Sequence, residues 1–346
     1  MTQALLDRYH RQNRRRAALV VVMAVMAALA VLLDLMTGPA GLPLGDTIAA
    51  LTGRADVPRG TAIIVWEVRL PVAALALLVG AALALAGAEM QTVLENPLAE
   101  PFTLGVSAAA ALGAATAIVL GLTVPFLPAV WSVSANAFVF ALGALGLLQL
   151  LGRLRGGGPE VLILFGIALN FAAASLLSLL QFIASPDALQ QLVFWTMGSL
   201  AAAEWRSVGV LAVVLVVTAP FSLRAAWQLT ALRMGADQAR SFGVNVESLR
   251  RWTLLRVSLL SASAVSLVGV IGFVGLAGPH IARMLVGEDH RFFLPTSLLT
   301  GALIMSLAST LAKVVVPGVL LPIGLVTSLI GLPIFFSLIF RGGARR

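Results

Sequence analysis

The sequence predicts an all-α polytopic membrane protein of about ten transmembrane helices, and three observations carry the prediction. Hydrophobic residues make up 60% of the 346 and charged ones only 11%, with a mean hydropathy of +1.00; a soluble domain of this length carries far more charge. The apolar runs are about 20 residues long, as a helix needs to cross a ~30 Å hydrocarbon core, and not the alternating ten-residue strands of a membrane barrel. In lipid the backbone must satisfy its own hydrogen bonds, which a helix does within one segment.

Taken in order, residues 1–16 form a basic flank with Arg8, Arg11, Arg14, Arg15 and Arg16. A single transmembrane domain is expected over 17–341, followed by a short tail, 342–346. The first span, 17–36, is too long for the apolar part of a cleavable signal and lacks a convincing cleavage site. An outer segment, 37–66, has room for a short interfacial helix. The second span covers roughly 68–93 and ends before Asn96-Pro97-Leu98-Ala99-Glu100-Pro101, whose prolines break the helix. Spans three to five follow at about 102–122, 129–151 and 160–184, with a basic turn, Arg153–Pro159, before the fifth. An outer loop at 185–203 should hold a short helix around 192–197, and the sixth span runs from 205 to 223. The seventh, 252–270, leads through a glycine-rich irregular stretch to a short eighth at 271–286. The ninth and tenth lie at 294–316 and 323–340.

Charge tests this arrangement. With both ends placed inside, 18 of the 23 basic residues fall on the inner side; Arg54, Arg59, Arg69, Arg206 and Lys313 fall outside. That asymmetry is what the positive-inside rule requires. The net charge of +8 therefore reports orientation and gives no reason to expect nucleic acid as a partner.

The most polar stretch, Leu232–Arg256, lies on the inner side between two spans. Helical spacing over 232–242 puts Leu232, Ala236, Ala239 and Phe242 on one face, with Asp237, Gln238, Arg240 and Ser241 covering the rest. Gly243 stops that helix and Asn245 can cap the next. A solvated loop between spans would look much the same, but a pair of short helices on the basic side is also a docking surface for a soluble partner.

Glu89 lies within the second span, where a carboxylate marks a pathway or a partner unless it snorkels to the interface. Gln91, Asn136, Asn170 and Gln181 fit hydrogen bonds between helices. Small residues such as Gly80, Ala84 and Gly87 allow close helix packing. With no cysteine, thiolate chemistry and disulfides are excluded, and His10, His280 and His290 make no His-Glu-x-x-His pattern. The only lysine is Lys313, in an apolar helix, so no phosphate-binding Gly-x-x-x-x-Gly-Lys loop exists. If ATP drives this protein, another chain hydrolyses it. A secondary transporter would want several buried ionisable groups, and only Glu89 stands out. A membrane enzyme would need a catalytic constellation, and none is visible.

A set of motifs points further. Arg69-Leu70-Pro71 opens the second span, which continues through Gly80–Ala88 to Asn96–Pro101 and Leu104–Ser107. Phe194–Leu200, Ser241–Asn245, Gly272–Leu276, Pro279–Arg283 and Leu321–Gly324 follow. In combination these resemble the permease subunit of a type II ABC importer, of the iron-chelate, haem and cobalamin uptake family, from about residue 66 to the C-terminus. The resemblance implies a ten-helix subunit in the bacterial inner membrane. It would pair with a second copy or a paralogue, be driven by two cytoplasmic ATPases that bind ATP and magnesium, and receive cargo from a periplasmic or lipid-anchored binding protein. The chain itself would hold no cofactor. Coupling helices are then expected at about 230–250, with Asp237, Ala239, Arg240 and Gly243 on the motif. Asn96, Leu98, Gly157 and Gly158 match inner gate regions, and Arg69 and Lys313 match outer positions that pair with the binding protein. Val72, Ser309 and Leu320 depart from the family's cobalamin-type pattern. The expected cargo is an iron(III)–siderophore, with haem, cobalamin or an oxyanion as alternatives.

Overall fold

A computed structural model describes residues 2–38, 41–54, 57–125, 127–154, 158–316 and 318–343. Among them there is no strand. Ten helices stand where ten spans are expected: α1 (Thr2–Met36), α4 (Leu70–Val93), α5 (Val106–Leu120), α6 (Ser132–Leu154), α7 (Pro159–Ile183), α9 (Trp205–Arg224), α12 (Val246–Val268), α13 (Val274–Val286), α14 (His290–Val314) and α15 (Ile323–Gly343). Between them lie the short helices α2 (Leu44–Leu51), α3 (Arg59–Ile63), α8 (Pro186–Thr196), α10 (Ala226–Leu232) and α11 (Ala236–Ser241). Six helical segments are long and apolar enough to cross a bilayer by themselves, and α5, α13 and the start of α15 are shorter apolar helices. The polar first turns of α12, with Glu247, Arg250 and Arg251, explain why its composition alone does not mark it as a span.

Helix α4 is the axis of the bundle. It packs against α14, α13, α12 and α9, and almost every side chain from Val79 to Val93 is buried. Its glycines make this possible. A Cβ on Gly80 would lie 2.1 Å from the carbonyl oxygen of Gly301 in α14, and one on Gly87 would lie 1.9 Å from that of Gly275 in α13. No side chain fits either crossing. Lipid tails are as apolar as leucine, so helix association in the bilayer depends on such close backbone approach.

Several boundaries differ from those the sequence suggests. The basic N-terminal flank is helical from Thr2, making α1 35 residues long, about 52 Å, well beyond a ~30 Å core. Its N-terminal part is tied down, with Arg16 3.6 Å from Asp289 and Tyr9 accepting from Arg291 at 3.3 Å. The third helix starts at Val106, after turns at Pro101–Gly105 in which Gly105 has φ +83°. The outer segment holds two short helices, and the second runs through a π-helical turn, Ile64–Arg69, into α4.

Candidate functional site

The polar stretch between α9 and α12 is not one helix over 232–242. It breaks at Arg233–Gly235, giving α10 and α11, with Gly235 at φ +106°. Leu232 and Ala239 are buried as expected, but Phe242, which lies past the end of α11, is half exposed. The second break falls where the sequence places it. Gly243 takes φ +83°, and Asn245 Oδ1 accepts from the Ser248 amide at 2.9 Å, opening α12. Asp237, Gln238 and Arg240 face outward. Arg240 bridges Asp237 at 2.9 Å and Glu247 at 2.8 Å, closing α11 onto α12. The Arg240 guanidinium holds the Glu247 carboxyl below its ordinary value, its hydrogen bond being the largest cause.

Behind this exposed hairpin is a polar network that sequence reasoning missed. Arg233, at the end of α10, makes a two-pronged contact with Glu288 in the α13–α14 turn, its Nη2 at 2.7 Å from Oε1. Arg283, in the last turn of α13, approaches the same carboxylate at 3.1 Å, lies over the Phe293 ring, and donates to Gln91 Oε1 in α4 at 3.1 Å. Burial pushes the Glu288 carboxyl up, but the hydrogen bonds and charge of Arg233, with the charge of Arg283, outweigh it and leave the group below the usual carboxylate value. The buried His290 ring places Nε2 2.8 Å from Thr92 Oγ1 in α4 and Nδ1 3.2 Å from Thr230 Oγ1 in α10. α10 is thus pinned to α4, α13 and α14 at one end of the bundle. The sequence signal was faint, since these residues lie up to 198 positions apart.

The gate candidates lie at this end too. The Asn96 side chain accepts from the Leu98 amide at 2.9 Å, forming a turn that leaves Leu98 exposed. Glu95, at φ +50°, ends α4 and accepts from Arg250 of α12 at 2.9 Å. Gly158 stands just before α7; Gly157 lies outside the described residues. Glu100, which the sequence reading passed over, is buried with its carboxylate against the first turn of α13, where a Cβ on Gly275 would lie 3.2 Å from Oε2. A carboxylate there satisfies orphan donors and the helix dipole together.

Three candidate residues are held by partners inside the chain. Glu89 neither snorkels nor lines an open path. It is fully buried and held by Arg256, whose Nη2 lies 2.6 Å from Oε1 and whose Nε lies 3.0 Å from it. The partner comes from α12, 167 residues away, which is why periodicity within α4 could not reveal it. Lys313 is turned inward to Asp34, Nζ to Oδ1 2.8 Å, with both side chains buried. Arg69 is 5% exposed and donates to the carbonyls of Leu35 and Met36 at 2.8 and 3.1 Å. Both cations anchor the end of α1.

The arrangement is therefore a tightly packed membrane bundle with an exposed two-helix projection wired into its core. Comparisons with known proteins agree. The hemin transport system permease of Yersinia pestis is 39% identical over 283 residues, covering 82% of this chain and 85% of that one. The vitamin B12 import permease of Klebsiella pneumoniae is 32% identical over 343 residues, covering 99% of each. A solved structure described as an inward-facing metal-chelate type ABC transporter superposes with a TM-score of 0.82 at 30% identity, covering 94% of this chain and 99% of that one. The model of the FecCD transport family matches residues 25–341; the chain belongs to that family and is a multi-pass permease subunit of an ABC importer.

Proposed function

We propose that this chain forms half of the translocation path of an ATP-driven importer for an iron(III)–siderophore, working by alternating access. One observation carries the coupling part of this reading. The α10–α11 projection is exposed on its outer side and fastened on its inner side, through Arg233, Glu288, His290 and Thr230, to the helices at the centre of the bundle. A force applied at Asp237, Ala239, Arg240 and Gly243 reaches α4, α13 and α14 as a rigid-body displacement, because packed helices do not deform continuously. Two cytoplasmic ATPase subunits would supply that force by binding and hydrolysing ATP, the chain having no phosphate-binding loop of its own.

The basic end of the bundle, with both termini, is then cytoplasmic and the membrane is the bacterial inner membrane. A second permease, identical or paralogous, completes the path. Helix α7 supports this, since Leu164, Phe171 and Phe182 leave an uncovered apolar face. The turn at Asn96–Leu98 acts as part of the inner gate, together with the segment that carries Gly157 and Gly158. A periplasmic or lipid-anchored protein delivers the cargo to the opposite end.

Gly243→Trp tests the coupling. A Cβ at Gly243 meets nothing within 4 Å, so a large side chain leaves the internal packing intact. The φ of +83° adds strain of about 1–2 kcal/mol. The variant should insert normally, lose co-purification of the ATPase, and lose ATP-dependent uptake of radio-iron as a ferric siderophore. Wild-type uptake by this variant refutes the docking role. Competition by unlabelled ferric siderophore, haem and cyanocobalamin in the same vesicles decides the cargo.

A further inference from the structure

A cavity of about 620 Å³ lies between α9, α10 and the first half of α12, on the flank of the bundle. Its lining is zoned. Arg224, Gln228, Asn245 and Ser248 occupy the end toward the α10–α11 projection. Val217, Phe221, Leu255 and Leu259 line most of the opposite end, with Thr218 and Arg256 beside them. Trp252 stands between the zones and is 59% exposed; Trp227, 60% exposed, lies nearby on α10. Tryptophans exposed in this way mark the level of the membrane–water interface. The polar zone is thus at headgroup level and the apolar zone at acyl-chain level. From Asn245 to Leu259 the helix rises about 21 Å, against about 15 Å for one leaflet of a ~30 Å core.

The charges at the two levels differ. Arg256, at the base of the cavity, is already paired with Glu89. Arg224 is exposed, stacks over Phe221 at 5.5 Å, and among the described residues has no carboxylate partner. Asn245 uses its carbonyl oxygen to cap α12 and leaves its amide N–H groups free to donate.

We infer that this cavity is a binding site for one anionic phospholipid, its phosphate held by Arg224 with Asn245, Ser248 and Gln228, and an acyl chain lying along Phe221, Val217 and Leu259. A free phosphate would leave the apolar end of the cavity empty. A soluble protein partner would not reach below Trp252. Basic pockets between transmembrane helices at the inner interface have this chemistry.

The test uses the full-length chain, purified in mild detergent and equilibrated with equimolar phosphatidylglycerol and phosphatidylcholine, with retained lipid counted by native mass spectrometry. Wild type should retain phosphatidylglycerol preferentially. Arg224→Gln should cut that preference about fivefold, the factor one arginine contributes near an anionic surface, and Arg224→Lys should keep it. Val217→Trp, which fills the apolar zone from an exposed position, should remove bound lipid of both classes. Equal preference in wild type and Arg224→Gln, or unchanged retention in Val217→Trp, overturns the site. So does a complex in which Ser248→Cys cross-links to another protein subunit while lipid is lost. None of these readouts depends on cargo, on ATP coupling or on which leaflet holds the cavity, so failure here leaves the function proposed above untouched.

Discussion

A charged residue inside a membrane protein is informative only once its partner is known. Glu89 illustrates this. Read along α4 it is a lone carboxylate in an apolar helix; in three dimensions it is half of a pair with Arg256, whose Nη2 also donates to Thr253 at 2.9 Å. Removing one member leaves the other buried without its partner, whereas replacing both with apolar residues of similar volume does not. Glu89→Ala should therefore lower unfolding stability by about 3–5 kcal/mol, and the double variant Glu89→Leu/Arg256→Met should recover most of it. Thermal unfolding of the purified chain checks both. A double variant as unstable as the single would show that the pair does more than neutralise itself. The same logic governs Asp34 and Lys313, which fasten α1 to α14 at the opposite end of the bundle.

At the scale of elements, glycine placement decides which helices touch. Gly80 and Gly301 face one another so closely that either Cβ would fall inside the other helix's backbone, 2.1–2.2 Å from a carbonyl oxygen. Backbone cannot swing aside as a side chain can, so the cost exceeds the roughly 1–3 kcal/mol of ordinary overpacking. Gly80→Val should abolish monodisperse protein, while Gly209→Val on α9, where a Cβ meets nothing within 4 Å, should leave it unchanged. Size-exclusion profiles of the two variants make the comparison, and equal profiles would remove α4–α14 contact as the organising crossing. Small-residue spacing was legible in the sequence, as was the existence of the helices. Which glycine meets which was not, because spacing describes one helix and a crossing needs two.

For the whole molecule, the turn at Gly287–Asp289 gathers contacts from α1, α10 and α13. Glu288 is its centre, and two consequences can be measured. In a reconstituted importer, Glu288→Gln should keep ATP hydrolysis while lowering cargo moved per ATP, since α10 loses its charged tie to α13. The second consequence concerns pH. The folded Glu288 carboxyl sits below its ordinary value, so its stabilising contribution is complete above the unfolded pKa of about 4.3 and disappears as pH falls through the depressed folded value. The difference in Tm between wild type and Glu288→Gln should be constant near neutrality and close only below about pH 4. A difference that closes between pH 6 and 8 would mean that another group holds the turn.

By itself the sequence determined the class of the protein, the existence of its long apolar helices and the second break in the polar segment between α9 and α12. These follow from local quantities: run length against bilayer thickness, the left-handed turn that only Gly243 supplies cheaply, and the cap that Asn245 offers. Tertiary structure alone decided where the charges point. Arg69 and Lys313 look like outward cations in a list of residues, yet both are buried and paired within the chain, and Glu89 finds Arg256 across 167 residues. In a low-dielectric interior an ion takes the nearest opposite charge or carbonyl the fold brings to it, and that proximity is set by helix crossings that no single segment encodes.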